Sequence, residues 1–300
     1  MSYKEKLVFH LGVNAGFFSE YNNMILTMLF CLERRIRFVL YSKDANFGFE
    51  RGWRDFFVPF TAESTLTFHS RYNCRSAAVF EQSFDPKTRN RVELLKRLTR
   101  TQLLTHDVFE AARARAKESK SYKIPELGID GDVQVACSTM VRATWRFNSR
   151  TEREVNALTG SIRLPDQFVG IHVRSGDKPS ESKSYDLADY IRVAERVTDI
   201  RSAFVATDDY TNVEQFRERF PRWTFYHLCQ PTSRGYHQTN FNTLTKVEKK
   251  PQLIELFASV EMLCKGRAFV GTFTSNVGMY VGMRRPKGSH GVDSNDWFVW

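Results

Sequence analysis

The feature that most constrains this chain is the rhythm of its second half, where short apolar runs alternate with amphipathic segments at nearly even spacing. Strands are expected at 167–173, 202–206, 223–227 and 268–272, with helices at 186–197, 211–219, 251–264 and 275–283. The apolar runs are too short to be buried helices and rich in β-branched and aromatic residues. The segment ending at Cys264 instead repeats Leu253, Phe257, Val260 and Cys264 on one stripe, a helical period, and Gly266 suits its C-terminal cap. Strands separated by helices are joined by right-handed crossovers, so this half predicts a doubly wound parallel sheet.

The first half starts in the same way. Leu7–Leu11 reads as a strand, Gly12 and Gly16 punctuate a loop, Ser19 can cap a helix from Glu20 to about Arg34, and Ile36–Tyr41 forms the next strand. Residues 42–85 are irregular and aromatic-rich, as in Gly52-Trp53-Arg54-Asp55-Phe56-Phe57. From 87 to 123 the chain carries 11 Lys/Arg against 4 Asp/Glu, with Leu94, Leu95, Leu98, Leu103, Leu104 and Val108 at roughly helical spacing. This is read as a basic insertion of one or two amphipathic helices with a solvated charged face. A helix capped by Asn148 or Ser149 closes the first lobe. The expected fold is therefore α/β, two Rossmann-like lobes with parallel sheets, spanning 1–163 and 164–300.

A hydrophobic fraction of 42% with 25 Phe can fill real cores, so disorder is not the default reading. A formal charge of +10 attracts polyanions: nucleic acid, anionic membrane or phosphorylated small molecules. There is no GxxxxGK[ST] loop and no GxGxxG after a strand, which weakens ATPase and dehydrogenase readings. Cys31, Cys74, Cys137, Cys229 and Cys264 are scattered, with no CxxC pair, and read as reduced thiols. The longest apolar run, Met24–Leu32, falls well short of the ~20 residues of a membrane span. The opening MSYKEKLVFHLG has no signal-peptide pattern, so a cytoplasmic protein with no integral membrane segment is expected. Asp130-Gly131-Asp132 has the form of a metal-binding DxD but is read as a turn, and no metal is expected.

In an open α/β sheet, ligands bind beyond the carboxyl ends of the strands. Three loops qualify: His172 through Lys178, Thr207-Asp208-Asp209, and Gly271 through Asn276. Arg174 offers a planar fork for a phosphate pair. Thr274 and Ser275 place hydroxyls and backbone N–H groups where a helix begins, a natural phosphate site. His172, Asp208 and Asp209 can read a base or ribose, although an Asp-Asp pair after a strand also serves as a helix cap. Together these residues suit a nucleotide-sugar donor, whose diphosphate must be stabilised as it departs.

The same residues carry a resemblance. Gly170-Ile171-His172-Val173-Arg174-Ser175-Gly176-Asp177-Lys178 resembles the His-x-Arg motif of the α1,6-fucosyltransferases and their bacterial nodulation relatives. Val141-Arg142…Trp145, Ala206-Thr207-Asp208-Asp209 and Phe269 through Val277 resemble further blocks of that family, in order, over about 141–283. The resemblance implies a GT-B fold, GDP-fucose as donor substrate with no other cofactor, inversion at the anomeric carbon, no metal requirement and a glycan acceptor. It implies that His172 contacts guanine and Arg174 the β-phosphate. Asp177 and Lys178 organise the site, Asp208 and Asp209 support the donor pocket, and Ser275 binds phosphate. Glu181 is then the base, if one residue is deleted before Tyr190, with Lys178 tuning it. Two positions depart from the pattern. Ser175 replaces a second arginine, and Ser259 stands where the family has a guanine-contacting Asp, with Glu255 and Glu261 nearby. The alternatives are the same fold with another nucleotide-sugar donor, and a basic protein that binds nucleic acid or another polyanion through 87–123.

Overall fold

The computed structural model describes residues 3–118, 121–175 and 185–297. It divides into two compact units, the first ending at Asn148 and the second beginning at Ser149.

In the first unit, β1 (Glu5–His10), α1 (Phe17–Arg34) and β2 (Ile36–Tyr41) form the expected βαβ start. They are followed by α2 (Phe68–Tyr72), α3 (Ala77–Ser83), α4 (Pro86–Leu98), β3 (Leu103–Leu104) and α5 (Thr105–Lys117). A hairpin of β4 (Tyr122–Ile124) and β5 (Ile129–Gly131) precedes α6 (Val133–Thr144). The sheet is parallel, in the order β2-β1-β3. Helix α1 starts before Ser19: the Ser19 and Glu20 N–H groups donate to the Gly16 carbonyl, so Gly16 takes the cap position. The segment around Trp53 is irregular because its rings fill space. Trp53 stacks on Phe57 at 4.3 Å, and Phe17, Tyr21 and Trp145 close around them. Gly52 is required there, because it has φ +61° and a side chain would overlap the Ser42 carbonyl. Asp130 lies in β5, and the Asp132 carboxylate caps α6 by accepting from the Val135 N–H at 2.9 Å. Among the described residues no group of three or more His, Cys, Asp or Glu is placed to hold a metal.

The basic insertion is the two helices α4 and α5, but the leucines do not share one face. Val92 is fully buried and packs with Tyr72, Phe80 and Leu104, and Leu95 joins that cluster. Leu94 and Leu98 point outward, 55% and 72% exposed. At about 3.6 residues per turn, positions 94 and 98 lie opposite Val92, so they cannot reach the same core.

The second unit opens with α7 (Ser149–Gly160), which packs on α11 (Lys246–Lys265) and so belongs to this unit, not to the close of the first lobe as the sequence pattern predicts. Between them run β6 (Val169–Val173), α8 (Leu187–Val197), β7 (Ser202–Thr207), α9 (Tyr210–Arg219), β8 (Thr224–Tyr226) and α10 (Gln238–Thr243). After α11 come β9 (Ala268–Gly271), α12 (Asn276–Arg284) and β10 (Ser289–Gly291). Helix α11 starts five residues before Pro251 because Thr245 and Glu248 form a capping box there, with the Thr245 N–H donating to Glu248 Oε2 at 2.8 Å.

The five-stranded sheet is parallel throughout, in the order β10-β9-β6-β7-β8. One face carries Val169, Ile171, Val173, Ala203, Val205 and Val270 against Leu187, Tyr190 and Ile191 of α8 and Phe216 of α9. Each buried Val, Leu, Ile or Phe among these contributes about 1.5–3 kcal/mol. On the other face Gly170 lets α11 approach closely, since a Cβ there would lie 2.8 Å from the Leu263 carbonyl oxygen. Alternation along β6 puts His172 on this second face with Gly170. No described helix is long and apolar enough to cross a membrane, and all five cysteines are free thiols.

Candidate functional site

Strand β6 enters the sheet at its middle. From it the chain builds outward through β7 and β8 on one side, then returns to place β9 and β10 on the other. The strands that follow β6 and β9 therefore lie on opposite sides, β7 beside β6 and β10 beside β9. This is the topological switch point, where a parallel sheet opens a crevice at its carboxyl edge. The register is level there, with Val173 opposite Thr207 and Ile171 opposite Val270.

Of the residues expected at this edge, the sheet brings together His172, Arg174, Asp208, Asp209, Thr274 and Ser275. The remaining three, Asp177, Lys178 and Glu181, lie outside the described residues.

Arg174 leaves β6 and meets Asp208, the residue after β7, in an ion pair that is largely shielded from solvent. The guanidinium lies over the Tyr236 ring, 4.9 Å from its centroid, and donates to the Tyr236 carbonyl at 3.4 Å. The Asp208 carboxylate also accepts from the backbone N–H groups of Ser175 at 2.8 Å and Tyr236 at 2.9 Å. Two chain segments, at 174–175 and at 236, are thus tied to one carboxylate, which holds the guanidinium in place. Asp209 is differently occupied. It caps α9, accepting at Oδ1 from the Thr211 N–H at 3.0 Å and the Thr211 hydroxyl at 2.8 Å. The capping alternative holds for Asp209 alone.

His172 is buried, with Nδ1 lacking a partner among the described residues. Burial, reinforced by the nearby Arg174 charge, pushes its pKa down to about 3, so the ring is neutral at physiological pH. A neutral imidazole offers one donor and one acceptor, which is what reading a base edge requires.

The loop after β9 is held from behind. The Asp293 carboxylate accepts from the Phe273 and Thr274 N–H groups, each at 2.9 Å, and from the Thr274 hydroxyl at 2.8 Å. Thr274 is therefore committed to Asp293. Ser275 occupies the N-cap position of α12, is buried, and makes no capping bond with its side chain. Its hydroxyl sits at the positive end of the helix dipole. Gly278 in the first turn of α12 has no room for a side chain, because a Cβ would overlap the Thr272 carbonyl.

The residues beside the departures are also placed. The Ser175 hydroxyl accepts from Asn212 Nδ2 at 2.9 Å. Glu261 binds Arg284 with both oxygens, at 2.5 and 2.9 Å, while burial raises the Glu255 carboxyl above its usual range. Tyr236, Asn212 and Asp293 are contacts of the candidate site residues that the sequence pattern does not indicate. Tyr236 lies in a polar stretch without periodicity, and Asp293 follows an edge strand of three residues, so neither carries a local signal.

No family model and no curated protein matches the chain. Solved structures do. Fucosyltransferase NodZ from Bradyrhizobium is 14% identical, with 93% of this chain and 92% of that one covered at a TM-score of 0.51. NodZ α-1,6-fucosyltransferase soaked with GDP-fucose is 15% identical, covering 94% of each chain at 0.52. POFUT1 in complex with GDP is 11% identical, with 98% of this chain and 99% of that one covered at 0.53. The chain shares the GT-B fold of these structures.

Proposed function

We propose that the protein transfers fucose from GDP-fucose to a hydroxyl of a glycan acceptor, with inversion at the anomeric carbon. The observation that carries this reading is that the buried His172, Arg174 after β6 and the start of α12 after β9 stand at the carboxyl ends of two neighbouring parallel strands, at the switch point of the sheet. The fold is shared with structures of fucosyltransferases soaked with GDP-fucose or in complex with GDP, which supports the reading.

In this reading the diphosphate lies between Arg174 and the N-terminus of α12. Arg174 stabilises the charge that accumulates on the β-phosphate oxygen as the glycosidic C1–O bond breaks. Asp208 and Tyr236 hold the guanidinium in place, and Ser275 donates its hydroxyl to phosphate. His172 reads guanine. Glu181 takes the proton from the acceptor hydroxyl, whose oxygen forms the new bond to C1 while the old bond's electron pair leaves with GDP. Lys178 tunes that carboxylate and Asp177 organises the loop.

The donor sugar is the less constrained part. Ser175 is bonded to Asn212 where the resembled branch has a second arginine, so one guanidinium serves the diphosphate where that branch has two. Calorimetry of GDP, GDP-fucose, GDP-mannose and UDP against wild type and Arg174→Ala tests both levels. GDP and GDP-fucose should bind wild type and weaken at least about tenfold in the variant, the scale of one charge-assisted hydrogen bond. Binding of none of the four to wild type ends the reading. Preferential turnover of another GDP-sugar keeps the site and changes the donor.

A further inference from the structure

The site above makes no use of the basic insertion, and α4 has an unusual outer face. Lys87, Arg91, Leu94 and Leu98 recur at spacings of four, three and four, so they form one stripe on the side of the helix opposite the buried Val92. Both leucines are more than half exposed, although positions facing water on a basic helix are ordinarily polar. All four side chains of the stripe face solvent, and Arg97 and Arg100 flank it. Among the described residues Lys87, Arg91, Arg97 and Arg100 have no carboxylate partner; the ion pairs from α4 basic residues are the two made by the buried Lys96, to Glu93 and Asp107.

We infer that the outer face of α4 is a docking surface for an anionic phospholipid bilayer. Two leucines one turn apart can enter the boundary between headgroups and acyl chains. Lysine and arginine stems beside them extend along the apolar surface and place their charges among lipid phosphates. The charge complementarity selects this occupant: residues 86–100 carry six Lys/Arg and one Glu, which suits an anionic leaflet. A nucleic acid would use the same charges but gains nothing from solvent-facing leucines that do not stack on bases. The helix is rigidly mounted, with the Asp85 carboxylate capping its start at 2.7 Å from the Thr88 N–H, Pro86 in its first turn, and Val92 and Leu95 anchoring its inner side. It is therefore presented already folded, without the ordering cost that a free amphipathic peptide bears on binding.

The test is co-sedimentation of the full chain with vesicles of pure phosphatidylcholine and with vesicles of equal parts phosphatidylcholine and phosphatidylglycerol. Three proteins are compared: wild type, Leu94→Ser/Leu98→Ser, and Lys87→Glu/Arg91→Glu. All four positions are exposed, so the variants should fold, and melting curves check this. Wild type should bind the anionic vesicles and not the neutral ones, and each double variant should lose roughly tenfold or more in partitioning. Absence of binding to anionic vesicles overturns the inference, as does equal binding to both compositions. Binding that survives Leu94→Ser/Leu98→Ser, with a single-stranded oligonucleotide competing the protein off, also overturns it in favour of a general polyanion surface.

Discussion

Asp208 accepts from the Arg174 guanidinium at one carboxylate oxygen and from the Ser175 N–H at the other, 2.8 Å away. The acid thereby fixes both the side chain of the candidate phosphate-binding arginine and the backbone that follows it. Oriented this way, Arg174 need not lose much rotamer freedom when a diphosphate arrives, and pre-organised charge is what stabilises a leaving group most effectively.

Asp208→Asn keeps the shape and removes the charge. GDP affinity should fall roughly tenfold, because the guanidinium loses a charge-assisted partner worth about 1.5–3 kcal/mol and samples other rotamers. Calorimetry with GDP reads this directly. Tighter binding in the variant would show that Asp208 competes with the diphosphate for Arg174, and the positioning role would be wrong.

Gly278→Ala tests the seating of α12. A methyl group there overlaps the Thr272 carbonyl, so the helix must move from the β9 loop. The expected cost is about 1–3 kcal/mol, typical of overpacking, seen as a lowered urea midpoint together with weakened GDP binding. Unchanged stability would mean that the helix start is looser than the packing indicates.

Thr274 and Asp293 should separate cleanly. Because the Thr274 hydroxyl donates to Asp293, Thr274→Val should leave GDP affinity within about threefold, the cost of one neutral hydrogen bond in a loop that stays held. Asp293→Ala frees two N–H groups and that hydroxyl together, and should weaken both thermal stability and GDP binding by more. The reverse ranking in paired calorimetry would put Thr274 on the phosphate itself.

The first unit contains a separate pH-dependent element. Burial raises the Glu20 carboxyl to about 7, opposed by Arg75 at 3.5 Å and by His10. The folded state therefore holds this proton more tightly than the unfolded chain does. The contribution to stability is full below the ordinary value of 4.5 and is lost as pH rises through 7. Glu20→Gln removes that titration. Relative to the variant, wild type should lose roughly 3 kcal/mol between about pH 4 and about pH 8, since each pH unit separating the folded and unfolded values corresponds to about 1.36 kcal/mol. Urea midpoints at both ends of the range measure it, and parallel profiles for the two proteins would rule the assignment out.

Much of the fold and part of the site are legible in the sequence because both rest on local periodicity. The runs Val169–Val173, Ser202–Thr207 and Ala268–Gly271 alternate with helical stripes, and a parallel sheet follows from that alternation. Strand ends are then loop starts, which is why Arg174, Asp208 and Ser275 can be assigned to one edge of the sheet from the order of residues alone. Boundaries set by capping are less visible. Gly16 takes the place of Ser19, and Thr245 with Glu248 that of Pro251, since a cap depends on backbone geometry that residue type only biases.

The sequence by itself determined that the chain alternates strands and helices, that the second half forms a parallel sheet, and which loops gather at its carboxyl edge. These follow from hydrophobic period and from the handedness of crossovers, both local properties. Only the tertiary structure decided that Asp208 binds Arg174 while its neighbour Asp209 caps a helix, and that Asp293 takes the donors of Thr274. It alone turned Leu94 and Leu98 to solvent while Val92 and Leu95 went inside. The physical reason is common to all of these. Hydrogen-bond partners and buried faces are chosen among residues that lie tens of positions apart in the chain, and no local pattern records which of them will meet.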